Sequence, residues 1–219
     1  MKKRLLIILT LLSQPVFAQF SADVRGEYEN WNSGLGGQSS GVLAGFSLGY
    51  QTSPKYYLGG GVITGSYDTD SLAKSTLNRR DLDMVAGYFI QDQTSIYLGY
   101  RQYKIDYNNN EDNSRSFTDT THGLGIGAAT FYDLAPKWTT YGRFTISALA
   151  ASANYEIGGT EKGTGYSVGT ELGLLLSLNR TTNLGGGIKY QSANIKYKNQ
   201  ADSWAHNYTR LVLSLSHGF

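Results

Sequence analysis

The chain contains no cysteine, so disulfide bridges are unavailable to stabilise it. Small secreted domains that lack a large core usually depend on such bridges, and that class is therefore excluded. Proline is scarce too, with 3 residues, and no stretch shows the periodicity of an amphipathic helix. These absences leave β-structure as the predicted secondary structure.

Long apolar runs are confined to the amino terminus, where Met1-Lys2-Lys3-Arg4 precedes LLIILTLL and the stretch ends in Val-Phe-Ala18. A basic start, an apolar middle and small residues before a cut predict a secretory signal peptide over residues 1–18. The alternative is an uncleaved anchor, but the run of about 14 residues is shorter than the roughly 20 that a spanning helix needs. We therefore expect cleavage near Ala18 and a mature domain over residues 19–219.

Charge shows no excess of one sign. The net charge of +2 falls to about −1 once Lys2, Lys3 and Arg4 are removed with the signal, so we expect no nucleic-acid partner. The 3 histidines show no metal-ligand spacing. Glu111 and Asp112 lie in a polar segment that lacks the ligand register of a calcium loop. We therefore predict neither a metal nor a cofactor.

Period-two alternation, with 27 glycines and 17 tyrosines, is the dominant pattern. Short turns follow every second alternating segment, whereas the other connections are longer and polar, as in NSGLGGQSS, DTDSLAKSTLNR, NNNEDNSRSFTDT and KNQADSWA. This is the pattern of an all-β, antiparallel, up-and-down transmembrane β-barrel with its short turns and both termini in the periplasm. Eight strands, or a soluble β-sandwich, are the alternatives. We predict ten strands, at residues 20–31, 41–51, 56–67, 80–91, 95–107, 121–133, 138–155, 164–178, 182–197 and 206–219.

One face of each predicted strand is apolar and would contact lipid; Leu172, Leu174 and Leu176 form one such face. Aromatic residues cluster at both strand ends, as the two interfacial girdles of a barrel require. The predicted inner girdle contains Tyr50, Tyr56, Tyr132, Trp138 and Phe219, and the outer girdle Tyr28, Tyr67, Tyr155, Tyr166 and Tyr197.

The carboxyl terminus alternates and stops inside a strand, with Leu211, Leu213, Leu215 and a final Phe219. These residues resemble the carboxy-terminal recognition signal of Gram-negative outer-membrane β-barrel proteins, and the resemblance to small barrels covers the whole mature chain without fixing a subfamily. It implies that the barrel-assembly machinery inserts the chain into the outer membrane, among lipid and lipopolysaccharide. A closing strand at the seam also leaves no unpaired edge in hydrocarbon.

The faces opposite the apolar ones carry charges of both signs in equal number, which argues against strong ion selectivity. We predict ion pairs across a narrow lumen, because a buried charge without a partner is costly. Inward glycines leave volume for water or a small solute, which Phe89, Tyr97, Phe131 and Tyr141 partly refill. The predicted luminal charges are Asp23, Arg25, Glu27, Asp81, Asp83, Arg101, Arg143, Glu171, Lys189 and Arg210.

Function is therefore predicted as a narrow porin-like pore or a structural envelope barrel without catalytic activity. A barrel that binds a surface partner through its loops is the second class. A rim hydrolase is the third, since Asp81 and Asp83 with His122 and His206 faintly resemble the omptin proteases. Neither histidine follows an Asp by two residues as in that family, so we assign no catalytic residue.

Overall fold

In the computed structural model, which describes residues 19–33, 37–69, 75–109, 116–198 and 203–219, ten antiparallel strands close into one barrel. Each strand pairs with its neighbours in sequence, and β1 pairs with β10 from Ser21–Gly218 to Ser33–His206. The predicted fold class is confirmed, and the eight-strand alternative is wrong. The strands are β1 Gln19–Ser33, β2 Gly37–Gln51, β3 Tyr56–Thr69, β4 Ser75–Gln91, β5 Thr94–Asn109, β6 Phe117–Ala135, β7 Trp138–Tyr155, β8 Gly159–Ser177, β9 Thr182–Tyr197 and β10 Ser203–Gly218.

The end of the barrel that the sequence predicts to face the periplasm, called the inner end below, carries both described termini and four tight turns, as predicted. Side chains fix two of these turns. The Ser53 hydroxyl accepts from the N–H of Lys55 (3.3 Å) and of Tyr56 (3.2 Å), and the Asn179 side-chain oxygen accepts from the N–H of Thr181 (2.9 Å) and of Thr182 (2.8 Å). Such side-chain to backbone bonds are how Ser and Asn stabilise turns.

The outer end differs from the sequence prediction, because the strands run further than expected. Most of the predicted outer loops NSGLGGQSS and DTDSLAKSTLNR lies within β1 to β4. The connection between β7 and β8 spans only 156–158, and Gly158 (φ 134°) and Gly159 (φ 85°) take up conformations there that residues with a side chain rarely adopt.

The extra length is explained by a change of polarity along the strands. Side chains continue to alternate between outward and inward, but the polar and apolar faces are exchanged. On β5, Ile96, Leu98 and Tyr100 face outward, but beyond them the outward residues are polar (Gln102, Lys104), and the inward ones are apolar. The barrel therefore has two parts: a membrane belt with an apolar exterior, and above it an outer collar with a polar exterior. The collar comprises residues 29–33, 37–41, 64–69, 76–81, 102–109, 117–123, 149–155, 159–165, 191–197 and 203–209.

The exterior of the membrane belt is built for hydrocarbon: Leu98, Leu124 and Leu213 are 65%, 70% and 68% exposed. On β10 the outward face, apolar except for His217, extends from Leu211 to Phe219, a rise of roughly 21 Å for a strand tilted by about 40°. This agrees with the apolar band of about 25 Å in outer-membrane barrels. No helix of the described residues is long and apolar enough to cross a membrane.

The inner girdle lies on the barrel surface, with Phe219 77% exposed and the Tyr50 ring packed at a tilt against Phe20, 4.7 Å between centroids. The predicted outer girdle was partly wrong. Tyr28 and Tyr166 face outward, but Tyr67 and Tyr197 are buried inside the collar, and Tyr155 packs against that interior. Each of these three tyrosines has the same parity as the inward-facing residues of its own strand, such as Tyr57, Tyr141 and Lys189, so their position near a strand end was given too much weight.

Two apolar clusters fill the collar interior, and the first also reaches Leu43 and Ile63 in the belt directly below it. One joins Trp31, Leu43, Ile63, Tyr67, Leu77, Ile105 and Tyr208, and the other joins Leu149, Ala151, Ala153, Ala193, Ile195 and Tyr197. The outer half of the barrel is thus packed like the core of a water-soluble barrel, which is the packing expected where water surrounds a polar exterior.

Candidate functional site

The ten predicted luminal charges all lie on inward-facing positions, at heights from Asp23 near the inner end of β1 to Arg210 at the junction of belt and collar. Asp23, Glu27, Asp81, Glu171, Lys189 and Arg210 are buried. Arg25, Asp83, Arg101 and Arg143 are half-buried. They fall into three groups, described in turn, and two further members, Glu29 and Arg79, were missed by the sequence analysis.

The first group centres on Arg210 of β10. Its guanidinium donates to Glu27 (2.8 Å) and to Asp81 (3.0 Å) and also pairs with Glu29. Arg79 bridges the same carboxylates, donating to Glu29 (2.7 Å) and to Asp81 (2.7 and 3.0 Å). Two cations and three carboxylates therefore tie β1, β4 and β10 together, although β4 and β10 are four strands apart around the barrel.

Two signals in the sequence could have identified the missing pair. Glu29 follows Asp23, Arg25 and Glu27 at the same parity within the predicted first strand. Arg79 has the same parity as Asp81 but precedes the predicted start of the fourth strand at residue 80.

The second group crosses the lumen between β5 and β9. Arg101 donates to Asp83 at 2.5 Å and, with another nitrogen, to the side-chain oxygen of Gln191 at 2.6 Å. A polar side chain from the opposite wall thereby completes a charged pair. On the other side, Arg25 pairs with Asp23 at 3.0 Å and donates to Ser47 at 2.9 Å.

The third group is a row on β7, β8 and β9, where Arg143, Glu171 and Lys189 are register partners. The Tyr141 hydroxyl donates to Glu171 at 3.1 Å. Arg143 donates to the Tyr97 hydroxyl at 2.9 Å and lies over the Tyr97 ring, 4.9 Å from its centroid. Stacking on an aromatic ring is a favourable environment for a guanidinium.

Tyrosines cover inward glycines below these charges. Tyr57 faces Gly87, and Tyr97 faces Gly127, each as a direct cross-strand pair. A Cβ at Gly87 would lie 2.1 Å from the Tyr57 ring, and one at Gly127 would lie 2.3 Å from the Tyr97 ring. The third pair, Tyr141 and Gly173, repeats the arrangement. The volume that these glycines leave is therefore occupied largely by tyrosine rings.

One cavity of about 110 Å³ remains in the inner half of the lumen. Its wall runs from Phe89 and Ser95, close to the inner turns, up to Arg25, Asp83 and Arg143. Among the described residues a second, much smaller cavity of about 10 Å³ lies between Arg101, Arg143 and Lys189.

The collar interior holds two titratable groups without an opposite charge. Asp119 accepts from the Tyr197 hydroxyl (3.0 Å) and the Thr121 hydroxyl (3.4 Å), and burial raises the pKa of Asp119 to about 6. His206 stacks on Trp31 at 5.8 Å, and burial together with Arg79 lowers the pKa of His206 to about 4.

The residues considered for hydrolysis are not brought together. His122 is exposed on the outside of β6, and His206, which pairs with Ser33 at the outer end of β1, lies in the aromatic stack with neither ring nitrogen hydrogen-bonded. Asp81 and Asp83 are engaged by arginines. No cluster of three potential metal ligands occurs in the described part of the chain, and Glu111 and Asp112 lie outside it.

Comparison with known proteins identifies the fold. No family model and no curated protein sequence matches the chain. Neisserial surface protein A is 16% identical with a TM-score of 0.50, and the match covers 91% of this chain and 97% of that one. The Escherichia coli outer membrane protease OmpT is 11% identical with a TM-score of 0.55, covering 96% and 99%. The β domain of the Bordetella autotransporter BrkA is 9% identical with a TM-score of 0.52, covering 91% and 99%.

The chain has the fold of the outer-membrane β-barrels. The predicted resemblance to small outer-membrane β-barrels is confirmed at the level of the fold, and no subfamily is fixed. At these identities the likeness concerns the fold alone, so function is argued from the lumen and the collar of this barrel.

Proposed function

We propose that the protein is a structural barrel of the Gram-negative outer membrane whose lumen is closed to ion flow. The observation that carries this proposal is the set of direct bonds across the lumen. Arg210 reaches Asp81 at the level of the junction, Arg101 reaches Gln191 just below it, and in the collar Tyr197 reaches Asp119. A porin-like pore needs a continuous aqueous path, whereas narrow barrels are filled by their own side chains.

The energetics support a permanent closure. Each guanidinium of the Arg210 group is hydrogen-bonded to two or more carboxylates, and the apolar clusters of the collar cover the group from the outside. Opening a path would expose these clusters and separate buried charges, which costs several kcal/mol for each unpaired ion.

The test is the current across a planar bilayer that contains the refolded mature barrel. We expect no discrete conductance steps from the wild type, with a known porin as positive control and resistance to unfolding in cold detergent as evidence of folding. Regular steps from folded wild-type protein would contradict the closure and favour the narrow-pore alternative.

We also propose that the barrel-assembly machinery is the partner during biogenesis and that lipid and lipopolysaccharide surround the mature protein. Within the barrel Phe219 makes one backbone hydrogen bond, to Phe20 at 2.9 Å, and its ring is largely exposed. Deleting Phe219 should therefore impair assembly in cells but leave refolding in detergent almost unchanged. Equal losses in both assays would assign Phe219 a purely structural role.

A second candidate is attachment to an anionic surface, which the outside of the collar favours. Arg80, Lys104, Lys162 and Lys196 are exposed there. The test is retention of the refolded barrel on dextran sulfate beads at low salt, comparing the triple change of these lysines to Glu with Lys55→Glu at the inner end. Equal retention of the two variants would eliminate this candidate.

A further inference from the structure

The inner cavity has a partly aromatic wall, is not fully enclosed, and reaches Phe89 and Ser95 beside the inner turns. Phe89, Phe131, Tyr57 and Tyr141 line it, and the inward-facing Gly59 and Gly61 widen the space because they lack side chains. Its volume of about 110 Å³ approaches the roughly 150 Å³ of engineered apolar cavities that hold benzene. Because this volume is below that of a cavity that holds benzene, a single aromatic ring is the largest group it encloses, and a substituent has to project beyond it.

Arg143 is the one arginine among the described luminal charges without a carboxylate partner; Lys189, which has no ion pair either, does not line the larger cavity. Arg25, Arg79, Arg101 and Arg210 each have a carboxylate oxygen within 4.0 Å, whereas among the described residues Arg143 has none. Its Nε is held by Tyr97, and the guanidinium lies in the wall of both cavities. Its two terminal nitrogens are thus available to a ligand that enters from below.

The charges next to Arg143 favour an anion. Glu171 lies between Arg143 and Lys189 in the register, so one carboxylate is flanked by two cations, and one of its oxygens already accepts from Tyr141. Asp83, the other carboxylate in the wall, is engaged by Arg101. A guanidinium binds a carboxylate in a planar, two-pronged geometry.

We propose that this cavity is a binding site for a small aromatic carboxylate, which enters from the inner mouth, stacks among the aromatic side chains and pairs with Arg143. The site is independent of the closure proposed above, because it lies entirely on the inner side of the bonds that cross the lumen.

The test is calorimetric titration of the refolded barrel with benzoate, benzyl alcohol and benzylamine, with protein-free micelles as the blank. The wild type should prefer benzoate to the neutral alcohol and the alcohol to the amine. Arg143→Gln should weaken benzoate binding by about tenfold, as expected for the loss of a charged pair, and leave benzyl alcohol nearly unaffected. Arg180→Gln in an inner turn is the matched control and should change neither.

A second pair of variants tests the cavity without altering charge. Ala129 faces the cavity and Ala128 faces lipid on the same strand. Ala129→Leu should weaken both benzoate and benzyl alcohol, and Ala128→Leu should weaken neither, so the test remains decisive if Arg143→Gln fails to fold. Absence of benzoate binding, equal binding by all variants, or a preference for benzylamine would overturn the proposal.

Discussion

At the scale of single residues, the collar buries two groups that destabilise the fold when they are charged. Asp119 is charged at high pH and His206 at low pH. Asp119 has a pKa raised from 3.8 to about 6, so it binds a proton in the folded state that the unfolded chain has already released. The stability this provides is complete below about pH 4 and is lost as the pH rises through 6. His206 has a pKa lowered from 6.5 to about 4, so stability is lost as the pH falls below 6.5.

Asp119→Asn should raise the free energy of unfolding at pH 8, by up to about 3 kcal/mol, because it removes a buried charge while keeping an acceptor for the Tyr197 hydroxyl. The measurement is the urea midpoint of the refolded barrel at pH 8 and at pH 5. The gain should shrink at pH 5, where Asp119 itself is largely protonated. Asp106→Asn on the outside of the collar is the control, and an equal gain there would refute the argument from burial.

His206→Phe should remove the loss of stability on the acid side. Phe can replace the ring in the stack with Trp31 and Tyr208 without a group that gains a proton on unfolding. With Asp119 intact, the urea midpoint of this variant should rise from pH 7 to pH 4.5, whereas in Asp119→Asn it should fall over the same range. Parallel pH profiles for the two variants would contradict the opposite assignments.

At the scale of strands, a tyrosine on one strand covers a glycine on the next. At Gly87 the three atoms nearest to an added Cβ all belong to the Tyr57 side chain. Gly87→Ala should therefore lower the urea midpoint and the yield of refolding, since the ring must leave its position and the hydroxyl loses its contact with Ser95 at 3.1 Å.

The double variant Gly87→Ala with Tyr57→Ala supplies the check. Removing the ring removes the clash, so the two changes together should cost less than the sum of their separate effects. Gly60→Ala is the matched control, because it faces outward with 3.4 Å to the nearest atom and should be nearly neutral. Strict additivity of the two changes would show that the pair is not coupled.

The strands also show how far sequence reasoning reaches. Alternation predicted ten strands and the inner turns, because in the membrane belt every second residue must satisfy lipid, and Leu98 or Leu213 can face nowhere else. It failed in the collar, where water replaces lipid outside and the same parity carries Lys104 outward and Tyr103 inward. A rule that requires every outward residue of a strand to be apolar ends each strand at the junction of belt and collar, where the outward residues become polar.

The candidate site, too, could be predicted from the sequence only in part. Parity along a strand assigns a residue to one face of the wall, so the inward sense of Arg101 or Arg143 follows from their own strands. Pairing across the lumen depends on the register of strands that are distant in sequence, such as β5 and β9, and on rotamers. The bond from Arg101 to Gln191, and the fact that no carboxylate oxygen of the described residues lies within 4.0 Å of the Arg143 guanidinium although Glu171 is its register partner, therefore required the structure.

At the scale of the whole molecule, the belt and collar fix how the barrel is placed in the membrane. Because the chain has no cysteine, a single introduced cysteine reports on one position. Three positions divide the barrel by height: Lys104 on the outside of the collar, Leu98 in the membrane belt and Asp92 in an inner turn.

In intact cells, a membrane-impermeant maleimide should label Lys104→Cys and should leave Leu98→Cys and Asp92→Cys unlabelled. Disrupting the outer membrane should expose Asp92→Cys alone, because Leu98→Cys stays covered by lipid.

A fluorophore attached at Leu98→Cys in the refolded barrel should in turn be quenched by brominated lipid, and one at Lys104→Cys should not. Labelling of Asp92→Cys in intact cells would reverse the orientation, and quenching at Lys104→Cys would place the collar inside the bilayer. Either result would remove the physical cause of the inverted pattern, since that cause is water around the collar and hydrocarbon around the belt.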